Sequence, residues 1–129
     1  MVDREANAKS SPLVRMWRAT INTSNGIATA FRSEQAFREE ALALLLALPL
    51  AWLIGVTPVR RLELVMVVLL LMVVELLNTA IEKLSDRLTT DHDPQIGRVK
   101  DMGSAAVGVT LVIAGATWLF AIVERMGLI

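Results

Sequence analysis

No cysteine occurs among the 129 residues, which excludes disulfides and thiolate metal sites. Histidine is nearly as scarce, His92 being the only one. There is no H-E-x-x-H pair, so protease-type zinc chemistry lacks its ligands. Serine–histidine hydrolysis would need His92 to reach a serine, and nothing local suggests it. A solitary loop histidine is otherwise simply solvated. Neither a G-x-x-x-x-G-K-[ST] loop nor a protein-kinase glycine loop is present. Net charge is missing too: 13 basic residues balance 13 acidic ones, and no nucleic-acid footprint is implied. The N-terminus places Asp3, Arg4, Glu5 and Lys9 before any apolar run. It lacks a signal peptide's basic start, apolar core and cleavage site, so the N-terminal arm is expected to belong to the working protein.

Charge is also absent over long stretches. The chain is 54% hydrophobic with a mean hydropathy of +0.54. By length it is one domain, but it is too oily for an ordinary soluble one. Residues 41–59 and 102–123 carry no charge, and residues 64–74 no polar side chain. At about 1.5 Å per residue, such segments can cross a hydrocarbon layer about 30 Å thick. The expected class is an all-α membrane protein with three transmembrane helices, over residues 34–57, 61–88 and 100–124. Pro49 predicts a kink in the first span, and Trp52 suits an interfacial anchor. Residues 1–10 are polar and expected to be flexible.

Residues 11–33 form an N-terminal amphipathic surface-helix region. Ser11-Pro12 is a helix start. Leu13, Met16, Trp17 and Ile21 share one side, as in a helix lying on a membrane, although a soluble helix packed on a core has the same pattern. Thr23-Ser24-Asn25-Gly26 predicts a turn or break. Residues 89–99 form a polar loop between the second and third spans. Most lysines and arginines fall in the N-terminal arm and around this loop, with only Arg60, Arg61 and Arg125 on the other side. The N-terminus and loop are therefore expected in the cytoplasm and the C-terminus outside.

One polar stripe enters the second span. Residues 75–86 read E-L-L-N-T-A-I-E-K-L-S-D. At about 100° per residue, Glu75, Asn78, Glu82 and Asp86 fall within roughly 80° of one another. Such a stripe can lock helices together by hydrogen bonds, but clustered carboxylates repel and call for a cation. Glu82 and Asp86 lie at the inner interface, with Glu75 about 10 Å deeper. A carboxylate withdrawn from water is a stronger base, and the proton source at that depth is a lipid hydroxyl. Glu34, Glu39, Glu40, Glu82 and Asp86 fall near the inner interface with Arg98 and Lys100, charges suited to magnesium and phosphates. Each alone also reads as a solvated flanking charge. A lipid-modifying site at the inner membrane surface follows. Small residues such as Gly103, Gly108 and Gly115 favour close helix contact, and with the lone deep carboxylate argue for a homo-oligomer.

Three motifs carry a resemblance: E-Q-A-F-R-E-E at residues 34–40, E-L-L-N-T-A-I-E at 75–82 and K-D-M-G-S-A-A-V at 100–107. Together they resemble the small bacterial integral membrane diacylglycerol kinases, with gap-free spacing from about Arg15 to Trp118. The resemblance implies a homotrimer with active sites shared between subunits, in the bacterial inner membrane. It implies Mg2+-dependent transfer of the ATP γ-phosphate to the primary hydroxyl of diacylglycerol, giving phosphatidic acid. By the same resemblance Glu75 is the general base, and Glu34 and Glu82 are magnesium ligands that hold the ATP phosphates. Lys100 and Asp101 contact the nucleotide, and Asp91, His92 and Asp93 meet the adenine. Arg15 lies on the surface helix and serves nucleotide and substrate, Asn78 orients groups beside the base, and Ser104 and Trp118 fall at substrate positions. Asn22 stands where a family member has a nucleotide-side tyrosine, Ser24 where it has a tryptophan, and the loop histidine is displaced by one position. Undecaprenol kinases share E-L-L-N-T-A-I-E, but Met102-Gly103-Ser104 after the Lys-Asp pair favours diacylglycerol. An ion-conducting or regulatory oligomer would not need Lys100-Asp101 or Glu34, and a purely structural subunit has no use for Glu75 at depth.

Overall fold

The computed structural model describes residues 10–129, and among them every regular element is a helix. The flexible arm expected over residues 1–10 lies, Ser10 apart, outside the described residues. The chain divides into two compact units, residues 1–35 and residues 36–129.

The first unit is essentially α1, Pro12–Ser33. Ser11 caps it, its hydroxyl accepting from the Val14 N–H at 3.4 Å, and Pro12 follows at the first helical turn. Glu34 ends it in extended conformation, donating its N–H to the Ala30 carbonyl at 2.8 Å. The turn expected at Thr23-Ser24-Asn25-Gly26 does not form, and α1 runs through it unbroken. Helix propagation is cooperative, so a few weak helix formers between good turns cost less than ending and renucleating the helix. Leu13, Met16 and Trp17 are exposed, 77%, 67% and 68% respectively.

The remaining helices are α2 (Gln35–Ile54), α3 (Pro58–Leu88) and α4 (Pro94–Arg125). Helices α3 and α4 are long and apolar enough to cross a membrane. In α2, Arg38, Glu39 and Glu40 occupy the first turns. Its uncharged helical part, residues 41–54, is about 21 Å long at 1.5 Å per residue. Pro49 lies inside α2, whose helix continues past it to Ile54. Residues 55–57 are not helical.

Each long helix starts on a capping residue followed by proline, the arrangement that satisfies a free N–H and presets the backbone. Thr57 accepts from Arg60 N–H at 3.1 Å. Asp93 Oδ1 accepts from Gln95 and Ile96 N–H at 2.8 and 3.3 Å. Because of this cap, α4 begins at Pro94, six residues before the boundary of 100 expected for the third span. The polar run that reads as a loop over residues 89–99 is in large part a helical turn.

Helices α3 and α4 form an antiparallel hairpin. At the end away from its turn, Ala51 of α2, Leu64 of α3 and Ala121 of α4 are almost fully buried against one another, with Ile54, Val65 and Trp118 around them. Two alanines let three backbones converge on one leucine. Polar contacts fasten the same end: Arg60 bonds Glu124 at 2.8 Å and also Glu63, and lies over the Phe120 ring at 4.7 Å. Arg61 stacks on Trp52 at 4.1 Å and donates to the Gly55 carbonyl at 3.0 Å. A side chain at Gly55 would collide with Arg61 and with the Ala51 carbonyl, so this bend requires glycine. Outside the small core, large apolar residues such as Leu45, Leu46, Leu77, Val112 and Leu119 are more than half exposed. Exposed apolar area on this scale marks a surface meant for lipid or other chains.

Candidate functional site

The stripe on α3 changes from buried to exposed along its length. Glu75 and Glu82 are half-buried, Asn78 is only 8% exposed, and Asp86 is open. Asn78 Nδ2 donates to Glu82 Oε1 at 3.3 Å. This bond runs along α3, from one turn to the next, and does not tie α3 to another helix. Asn78 Oδ1 is fully buried and accepts no hydrogen bond. It faces Gly103 of α4, where a Cβ atom would collide with it.

Helix α4 brings a cation to the open end. Lys100 Nζ donates to Asp86 Oδ1 at 3.0 Å and is also attracted by Glu82. The hairpin thus assembles Asn78, Glu82, Asp86 and Lys100, of which sequence spacing alone aligned only the α3 members. Asp101 and Ser104 follow on α4, both exposed.

Helix α2 adds Glu40, which the sequence marks only as one of several interface charges suited to magnesium and phosphates. Glu40 lies close enough to Glu75 for their charges to repel, and its Oε2 is buried without a hydrogen-bond partner. Two carboxylates so placed need a proton or a cation nearby. A signal for Glu40 did exist. Phe37, Ala47 and Ala51 are the buried residues of α2, and position 40 falls on their face at helical spacing.

The other expected site residues lie elsewhere. Arg15 and Asn22 are exposed on α1, and Glu34 caps its end, with its Oε1 accepting from Ser33 Oγ at 2.7 Å. All three belong to the first unit. Asp91, His92 and Asp93 line an open cavity of about 620 Å3 with Arg98. There Asp93 already serves as the α4 cap. Trp118 packs at the far end of the hairpin, about 22 Å along α4 from Gly103 at 1.5 Å per residue. Among the described residues, no three histidine or carboxylate side chains are grouped to hold an ion. Magnesium does not need three, since one or two carboxylates with phosphate oxygens and water complete its shell. Glu82 fits that use: it is oxygen-donating, half-buried and steadied by the Asn78 amide, and one accepted bond leaves most of a carboxylate's lone-pair sites unused.

The sequence pattern of the family described as prokaryotic diacylglycerol kinase matches residues 22–122. The chain is 40% identical over 102 residues to the diacylglycerol kinase of Escherichia coli strain K12, covering 79% of this chain and 84% of that one. To the diacylglycerol kinase of Pseudomonas aeruginosa it is 41% identical over 106 residues, 82% and 86% of the two chains. To that of Haemophilus influenzae it is 36% identical over 110 residues, 85% and 93% of the two.

Proposed function

The chain belongs to the prokaryotic diacylglycerol kinase family of membrane enzymes, and from that premise we propose that it phosphorylates diacylglycerol with ATP at the α3–α4 hairpin. The observation that carries this reading is the graded stripe on α3. It sets the half-buried carboxylate of Glu75 at one end, the Asn78–Glu82 pair in the middle, and Lys100 over Asp86 at the open end. An oily alcohol can meet the deep end while a charged nucleotide meets the open one.

In this reading Glu75 takes the proton from the primary hydroxyl of the lipid. The freed oxygen bonds to the γ-phosphorus as the bond to the bridging oxygen breaks, leaving phosphatidic acid and ADP. Lys100, which Asp86 holds at the mouth, offsets charge on the phosphates. Glu34 and Glu82 would hold the nucleotide's magnesium, which when bound neutralises phosphate charge. Neighbouring Glu40 lies close enough to Glu75 for the two charges to repel. Arg15, Asn22, Asp91, His92, Asp93 and Asp101 belong to the nucleotide side, and Ser104 and Trp118 to the lipid side. We further infer three spans, with α2 as the first, a cytoplasmic N-terminus and α3–α4 turn, and a homotrimer in the bacterial inner membrane. The exposed apolar surface supports both lipid and subunit contacts.

The test is phosphate transfer from Mg–ATP in vesicles carrying the protein, with diacylglycerol and undecaprenol assayed in parallel. Diacylglycerol is expected to turn over faster. Faster turnover of undecaprenol would reassign the acceptor. Absence of transfer to either lipid would remove the kinase reading.

A further inference from the structure

Helix α4 carries three glycines beyond its first turns, and they are not equivalent. At Gly108 and Gly115 nothing lies within 4 Å of where a side chain would begin. Gly103 is buried, and a Cβ there would fall on Asn78 Oδ1, with Asn78 Cγ at 3.5 Å and Ile81 Cδ1 at 3.8 Å behind it. Glycine weakens a helix interior, so its presence at this contact has a specific use. With only a hydrogen in place of a side chain, Gly103 leaves the room that Oδ1 occupies.

We propose that Gly103 is a positioning residue for the phosphate-binding end of the site, acting through Asn78. The amide has two committed ends. Nδ2 holds Glu82 at 3.3 Å, and Oδ1 occupies the space that Gly103 leaves in the α3–α4 seam. Any larger residue at 103 forces the amide to rotate or withdraw, and the bond to Glu82 moves with it. Glu82 then loses the partner that fixes its carboxylate. The inference rests on the reading of Glu82 as a holder of the nucleotide's metal.

The experiment uses the full-length protein in lipid vesicles, with Gly103→Ala, Gly108→Ala, Asn78→Ala and the Asn78→Ala/Gly103→Ala double variant. Mn2+ binding in the presence of a non-hydrolysable ATP analogue is followed by electron paramagnetic resonance. KM values for Mg–ATP and diacylglycerol are measured beside it. Loss of a ligand's partner costs about tenfold or more in metal affinity. Gly103→Ala should therefore weaken Mn2+ binding by about tenfold and raise the Mg–ATP KM, leaving the diacylglycerol KM unchanged; Gly108→Ala should do neither. In the Asn78→Ala background, Gly103→Ala should add less than about twofold, because the residue it acts through is gone. Undiminished Mn2+ affinity in Gly103→Ala, or an equal loss with and without Asn78, overturns the proposal. Should Gly103→Ala fail to assemble, the double variant, which removes the colliding amide, must assemble, and failure of both overturns it as well. The Asn78 side-chain amide signal in NMR separates this inference from the wider reading. If Glu82→Gln binds Mn2+ like the parent, the metal role of Glu82 fails, while a signal that still moves in Gly103→Ala upholds the placement of the amide.

Discussion

Replacing Asn78 by alanine separates a catalytic stripe from one that merely holds helices together. The bond from Nδ2 to the Glu82 carboxylate spans one turn of α3, and a hydrogen bond to a charged group contributes about 1.5–3 kcal/mol. Against that, the buried Oδ1 has no donor, and an unsatisfied buried carbonyl costs about 1–3 kcal/mol. The variant loses the first and escapes the second. Truncating the amide leaves a void of about 25 Å3, worth about 0.6 kcal/mol. These contributions nearly cancel, so Asn78→Ala should lose no more than about 1 kcal/mol of stability. Its effect on the reaction should be larger, with about tenfold weaker use of Mg2+ once Glu82 is no longer steadied. Unfolding in mixed detergent followed by circular dichroism reads the first quantity, and initial rates against free Mg2+ read the second. A stability loss beyond about 3 kcal/mol with unchanged Mg2+ dependence would refute this reasoning. It would mean that Oδ1 has a donor in the assembled protein and that Asn78 ties helices together.

Glu75→Gln should retain nucleotide binding, measured with a fluorescent ATP analogue, and lose about 100- to 10,000-fold in turnover, the range a general base supplies; near-parental rates would remove Glu75 from that role. Leu64→Ala truncates the largest fully buried side chain at the far end of the hairpin and should cost about 2–5 kcal/mol of stability, with KM for Mg–ATP unchanged because the stripe lies several turns away. Asp93→Ala should cost about 0.5–2 kcal/mol through loss of the α4 cap. Asp93→Ser should recover most of it, and if Mg–ATP affinity recovers too, the carboxylate serves α4 and not the adenine.

Some of this site is legible in the sequence because helix phase is local. Glu75, Asn78, Glu82 and Asp86 share a face by spacing alone, and the structure keeps them on one stripe of α3. The Ser11-Pro12 start is legible for the same reason, since a cap and a preset backbone need no tertiary contact. The unbroken course of α1 through Gly26 is not, because local propensity at Thr23-Ser24-Asn25-Gly26 competes with cooperativity over the whole helix. Glu40 meets Glu75 only when α2 is placed beside α3, and composition marks it as one flanking charge among three.

The pairing of α3 with α4 was closer to legible than it looks. In an antiparallel hairpin, partners lie at nearly equal distances from the turn. Asp86 and Lys100 pair close to it, Asn78 and Gly103 further out, and Arg60 and Glu124 at the far end. The centre of the turn therefore sets every partner. Hydropathy puts that centre too far along the chain, because the polar residues after Asp93 report contact with water and not the state of the backbone. The cap-and-proline signal at Asp93-Pro94 puts it correctly. A shift of the centre by about three residues displaces each partner by roughly two helical turns. With the hydropathy boundary, Asn78 falls opposite the region of Thr110, and Gly103 is only one small residue among several. With the cap, Gly103 falls opposite Asn78, and the glycine that accommodates the amide follows from counting outward from the turn.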